Sequence, residues 1–169
     1  MTTSLPVTSD VPVVRTDFSD QGAWERVKAG ISWVTPDEFT AHVSFVDDRA
    51  FAGVPVTDLL ERLPDGSVHA LLLVVDETTI RSPEHPILVV DLVPEPAPDD
   101  DWPGDDWPGG PSGRTFRALP HTIQEIENNL SIANMGWEDF TNDIDDDGIR
   151  REHMLYGRVE DLADDQVDE

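Results

Sequence analysis

At 169 residues the chain is long enough for one domain with a sizeable core, but 14 prolines, 11 glycines and a hydrophobic share of 38% leave part of it outside any core. Its 36 acids against 11 bases give a net charge of −25, which repels phosphates and argues against nonspecific nucleic-acid binding. With no cysteine, disulfides and thiolate chemistry are excluded.

The charge is uneven. Residues 91–113 hold seven acids and no base, and residues 137–169 hold thirteen acids and three arginines, so 17 of the 25 excess negative charges lie there. Self-repulsion favours extended, hydrated chain in both stretches. Met1 to Asp10 lacks the basic and apolar regions of a signal peptide, and no run approaches the roughly 20 apolar residues of a membrane helix. A cytoplasmic location with no membrane contact is the expectation.

Taken in chain order, residues 1–10 read as a flexible leader and Val11 to Phe18 as a buried strand. Ser19 or Asp20 then caps a helix in which Trp24, Val27, Ile31 and Val34 recur at helical spacing. Thr40 to Val46 alternates as a second strand, ending at Asp47 and Asp48. A short helix follows Pro55, with Leu59, Leu60 and Leu63 turned inward. Val68 to Val75 and Ile87 to Val93 are apolar throughout, as expected of strands covered on both faces.

Residues 94–113 form a low-complexity insertion in which Asp100-Asp101-Trp102-Pro103-Gly104 repeats at once as residues 105–109. That composition packs no core and predicts a mobile loop. Thr115 to Leu119 resumes the sheet, antiparallel to the strand before it. Thr122 and Glu125 match a capping box for a long helix that Gly136 ends. A closing helix buries Trp137, Phe140 and Ile144. Beyond Asp147-Gly148 the chain turns acidic.

This order predicts an α/β fold: a single domain with a mixed, mostly parallel sheet of about five strands, two N-terminal crossover helices and two closing helices. The domain is expected over residues 11–149, interrupted at 94–113, with 150–169 an acidic, disordered tail.

Three constellations carry potential chemistry. In the long helix, at about 100° per residue, Ile126, Leu130 and Ala133 share one sector, with Glu127 and Asn134 stacked at its border. Glu127, Asn128, Asn129 and Asn134, with Asp17, make a candidate pocket or a purely structural polar network. Buried polar groups favour the structural role, since they must find partners. Asp17, Asp47, Asp48 and Asp76 end strands whose carboxyl termini converge if parallel, a candidate magnesium or calcium site. Asp91 joins them only if its strand runs the same way, and helix capping explains each aspartate equally well. Asp143 to Gly148 opens like an EF-hand loop, but its twelfth position is Met154 rather than glutamate, so the match fails.

The segments Val13 to Asp20, Phe45 to Asp48, Pro86 to Leu92 and Glu127 to Met135, with Asp147-Gly148, resemble a family of small bacterial proteins known as a domain of unknown function. The resemblance covers roughly residues 12–149 and leaves out the duplicated insertion and the acidic end. It implies one compact domain and brings no activity, cofactor or catalytic residue.

The functional expectation is a binding or regulatory protein, of immunity or antagonist type, meeting a basic protein partner through its acidic surface and needing no cofactor. The alternative is a metal-dependent hydrolase or phosphotransfer enzyme built on the strand-end aspartates.

Overall fold

A computed structural model describes residues 3–65, 67–93, 113–142 and 144–158. The duplicated Asp-Trp-Pro-Gly segment, Asp143 and residues 159–169 lie outside these, and with them the expected mobile loop and the acidic end beyond 158. Six strands form one sheet in the order β2-β1-β3-β4-β5-β6. They are β1 Val11–Arg15, β2 Val43–Val46, β3 Leu71–Val75, β4 Ile87–Asp91, β5 Thr115–Ala118 and β6 Ile149–Arg150. Pairings are parallel for β1 with β2 and β3, antiparallel for β4 with β3 and β5, and parallel for β5 with β6. Five strands therefore share one direction and β4 alone opposes them. The fold is the expected mixed α/β sheet, with one strand more.

The period-2 pleat divides the apolar residues between two layers. Val11, Val13, Leu71, Leu73, Val75, Ile87, Val89, Phe116 and Ala118 face α1 (Gln21–Ile31), α4 (Ile123–Ser131) and α5 (Trp137–Thr141). Val14, Val46, Leu72, Val74 and Val90 face Leu5 and α2 (Val56–Glu61). Asp20 starts α1 by accepting from the Ala23 N–H, and Trp24, Val27 and Ile31 are buried as their spacing predicts. Val34 lies past the end of α1 and is exposed. Gly30 is needed for close approach: a Cβ there would sit 2.5 Å from Cβ of Pro120.

Several boundaries differ from expectation. The third strand begins at Leu71, leaving Val68 exposed, and the unforeseen five-residue helix α3 (Glu77–Arg81) follows it. The capping box at Thr122 does not form. A 3-10 turn at Pro120–Thr122 leads into α4, the Thr122 hydroxyl donates to the Leu119 carbonyl, and Glu125 points inward. The helix also stops early, at Ser131, and Ala133 has a φ of 54°, so Asn134 lies beyond it.

Both flanks of the domain extend past the limits drawn from composition. Leu5 in the leader is buried and its N–H donates to the Arg62 carbonyl. Arg150 and His153, assigned to the tail, are buried too, because partners inside the protein accept their polar groups.

Candidate functional site

The register sets where the strand-end aspartates go. Asp47 follows β2 and accepts from the buried Arg15 at 3.2 Å and from the Trp24 indole N–H at 3.2 Å. Asp17 accepts from Ser19 in a local turn, and Asp48 caps a 3-10 turn through the Ala50 N–H. Asp76 caps α3 through Thr79 and receives Arg117 at 2.7 and 3.0 Å. Burial raises the Asp76 pKa, but Arg117 and the Thr79 N–H outweigh it and leave the carboxyl below its ordinary range. Asp91 lies opposite Leu71, at the other end of the sheet, because β4 is reversed; it pairs with Arg114.

Each aspartate thus has its own partners. Among the described residues, no group of three or more His, Cys, Asp or Glu side chains is placed to hold a metal ion. Asp17, Asp47, Asp48 and Asp76 do not fit the magnesium or calcium site considered from sequence. Asp145 and Asp147, from the EF-hand-like loop, both accept from Arg151.

The polar residues of α4 separate into two devices. Glu127 is buried; its Oε1 accepts from the His42 N–H at 3.2 Å and its Oε2 from the Asn128 amide. Asn128 donates also to the Thr40 carbonyl at 3.1 Å. Together these two side chains pin residues 40–42, the approach to edge strand β2, to the helix. Burial raises the Glu127 pKa, and Asn128 and His42 oppose the shift. The second device closes the helix end. Asn129 donates to the Glu125 carbonyl, while its own side-chain and main-chain oxygens accept from the side chain and N–H of Asn134. Asn134 is exposed, and Asp17 belongs to neither device.

Glu127→Ala takes the buried carboxylate acceptor from the His42 N–H and the Asn128 amide and is expected to cost about 1–3 kcal/mol in urea unfolding, whereas Asn134→Ala is expected to cost less than ~1 kcal/mol. Faster hydrogen exchange at the His42 amide is the local signature; equal costs for the two variants would contradict this division of roles.

A third constellation, absent from the sequence expectations, joins α4 to the chain after β6. Arg150 donates to Glu125 at 3.0 Å and to the Phe140 carbonyl at 3.1 Å. The other Glu125 oxygen accepts from the Met154 N–H at 2.9 Å. Burial raises the Glu125 pKa against the opposing pull of these donors. His153 donates from Nε2 to Gln124 at 2.8 Å and accepts at Nδ1 from the Leu155 N–H at 3.2 Å, which defines a neutral ring. Burial, with the Arg150 and His121 charges, lowers its pKa from 6.5 to about 4. His121 is also buried, with its pKa lowered by that burial, and its Nε2 donates to the Gly157 carbonyl. Trp33 meets the rings of His121, His153 and Tyr156 edge-on at 5.9–6.2 Å.

Beside this cluster, beyond the carboxyl ends of β5 and β6, opens a cavity of about 370 Å³ lined by Pro83, Leu119, Pro120, His121, Glu84 and Arg151 among others. Arg151 spends all five N–H donors on Glu84, Asp145 and Asp147, so it has none left for an anion.

The chain matches, over residues 10–153, the model of a family described as Domain of unknown function (DUF6924). It belongs to that family. No curated protein and no solved structure matches it. In this DUF6924 chain the matched span takes in all six strands and the buried residues Gln124, Glu125, Arg150 and His153, and stops just before Leu155 and Tyr156. The resemblance expected from residues 12–149 is therefore to this family. Among the described residues no helix is long and apolar enough to cross a membrane.

Glu125 could have been singled out only by a tertiary partner, since Thr122-x-x-Glu125 satisfies a local capping pattern. The histidines carried no signal of their own: their spacing matches no ligand motif.

Proposed function

We propose that this DUF6924 domain is a binding or regulatory protein, acting in the cytoplasm, whose acidic surface engages a basic protein partner in the manner of an immunity protein or antagonist. The observation that supports this most is the contrast between interior and exterior. Inside, Asp91 and Glu125 each have a designated arginine, as do the half-buried Asp76 and the exposed Asp47. The chain as a whole keeps a net charge of −25, which steers cationic partners and repels phosphates. Glu127, Asn128 and Asn129 of α4, with Asn134 beyond its end, act in this reading as ties within the fold. A hydrolase would need Asp17, Asp47, Asp48 and Asp76 at one point, and no observation favours it.

Capture from a cell extract by the immobilised protein tests the reading. A basic protein is expected at low salt, with retention reduced at least about tenfold at high ionic strength. Neutralising Glu38, Asp146 and Glu152, all exposed, is expected to reduce it further. Capture unaffected by salt would overturn the proposal.

A further inference from the structure

The segment after α1 and the turn after β6 are docked side by side, and both present apolar side chains to solvent. Val34, Phe39, Met154 and Leu155 are 56%, 58%, 43% and 76% exposed. Such residues scattered singly need no explanation, but these stand on two segments that the fold ties to each other. The Tyr156 hydroxyl donates to Asp37, and Trp33 packs its ring against those of His153 and Tyr156. Thr35 and Phe39 bind each other through the Thr35 N–H at 2.8 Å and the Phe39 N–H at 2.9 Å, which fixes the loop that carries Phe39. Behind them Gln124 of α4 bonds both His153 and Asn128, and Asn128 holds Thr40.

Charge decides what covers this surface. The two segments carry Asp37, Glu38 and Glu152; Arg151 is saturated by three carboxylates and Arg158 reaches Asp145. The sequence that follows, 159–169, adds six acids and no base. A second copy of the chain, itself at −25, would be repelled. A cationic partner would instead gain from the same field while its apolar side chains cover Phe39 and Leu155.

We propose that Val34, Phe39, Met154 and Leu155 form the docking surface for a basic protein segment that intersperses apolar side chains among lysines or arginines. This rests on the reading of the domain as a binder of basic proteins and adds where and how contact is made. In that arrangement the acidic rim governs the approach, and burial of the apolar centre governs how long the partner stays.

The test uses two synthetic peptides of equal charge, one alternating leucine with lysine and one alternating serine with lysine, titrated calorimetrically into the full chain. The leucine peptide is expected to bind at least about tenfold more tightly, and Phe39→Ser with Leu155→Ser is expected to erase that preference. Val68→Ser is the control. Val68 is 90% exposed but lines a different hollow, with Leu63 and Pro64 and none of the four docking residues, so its loss should leave the preference intact. An unchanged thermal midpoint verifies folding, and Val34→Ser with Leu155→Ser replaces the pair if Phe39→Ser unfolds. Equal binding of the two peptides, or a preference that survives in the double variant, overturns the docking surface alone. Salt-independent binding, or no binding of either peptide, overturns the functional reading as well. A wild-type dimer in sedimentation that the double variant abolishes would assign the surface to a second copy and overturn the proposal.

Discussion

Arg150→Met is expected to lower the free energy of unfolding by about 3–5 kcal/mol, the largest loss from any single charge in the fold. Arg150 is 1% exposed and bonds the Glu125 carboxylate and the Phe140 carbonyl, with its guanidinium 5.3 Å from the Phe140 ring. Methionine occupies much of the same volume, so the cost is electrostatic before it is steric. Without arginine, Glu125 keeps the Met154 N–H as a partner but loses its counter-ion in a place that already raises its pKa. It must then hold an unpaired buried charge or take up a proton, and either costs stability. The damage spreads through β6, since Leu119 donates to the Arg150 carbonyl and Arg117 to that of Gly148. Adding Glu125→Gln should recover part of the loss, because a neutral amide still accepts from Met154. Urea unfolding followed by tryptophan fluorescence gives both numbers. A loss below ~1 kcal/mol, or no recovery in the double variant, would mean that water reaches the pair and carries its charge.

Arg150 also marks the limit of what could be read from the chain itself. Helix α1 was legible because its determinants are local: Asp20 accepts from a main-chain N–H three residues on, and Trp24, Val27 and Ile31 recur on one face. The apolar runs that became β3 and β4 were legible for the same reason. Helix α3 was not. Five residues are too few to show a period, and the aspartate that caps it is held by Arg117, 41 positions away. At Glu125 a valid local pattern lost to a stronger tertiary one, since its carboxylate gains more from Arg150 and Met154 inside than from a main-chain N–H at the helix start. Asn134 was misplaced by extending a helical period past Ile132, where the chain turns through the left-handed conformation at Ala133. The charged composition after residue 147 hid β6 because composition does not reveal that Glu125 awaits an arginine there.

Of the candidate site, Glu127 and Asn128 were marked from sequence as lining a pocket or as polar groups that must find partners. Their partners, the main chain at Thr40 and His42, are more than 80 positions distant and carry no sequence signal. Asp17, Asp47, Asp48 and Asp76 follow β1, β2 and β3, but the fold does not bring them together. Convergence of strands does not force convergence of side chains when each aspartate has a turn to close or an arginine to meet.

The acid response of the domain turns on His153. Its imidazole is neutral and 2% exposed, donating to Gln124 and accepting from Leu155, so an added proton would displace the Leu155 N–H inside the protein. Glu125 lies 3.5 Å from Nδ1 and would welcome that proton, but Arg150 already neutralises it and the shift runs downward, from 6.5 to about 4. In the unfolded chain the ring takes up a proton as pH falls through 6.5; in the folded domain it does not until about 4. The unfolded state therefore binds more protons throughout that window, and stability falls as pH falls, by on the order of 3 kcal/mol from this group. His121, lowered by burial, acts in the same direction. Glu125 and Glu127, both raised, act oppositely and give some stability back as they protonate in the folded state. Asp76, lowered, loses its contribution only as pH falls below its ordinary value of 3.8 and through its folded pKa, beneath the histidine window. Urea unfolding at several pH values between about 7 and about 4 should show this slope in the wild type and a flatter one in His153→Gln, whose amide does not titrate. An imidazole that titrates at or above 6.5 in the folded protein by NMR, or an unchanged slope in His153→Gln, would place the acid sensitivity elsewhere.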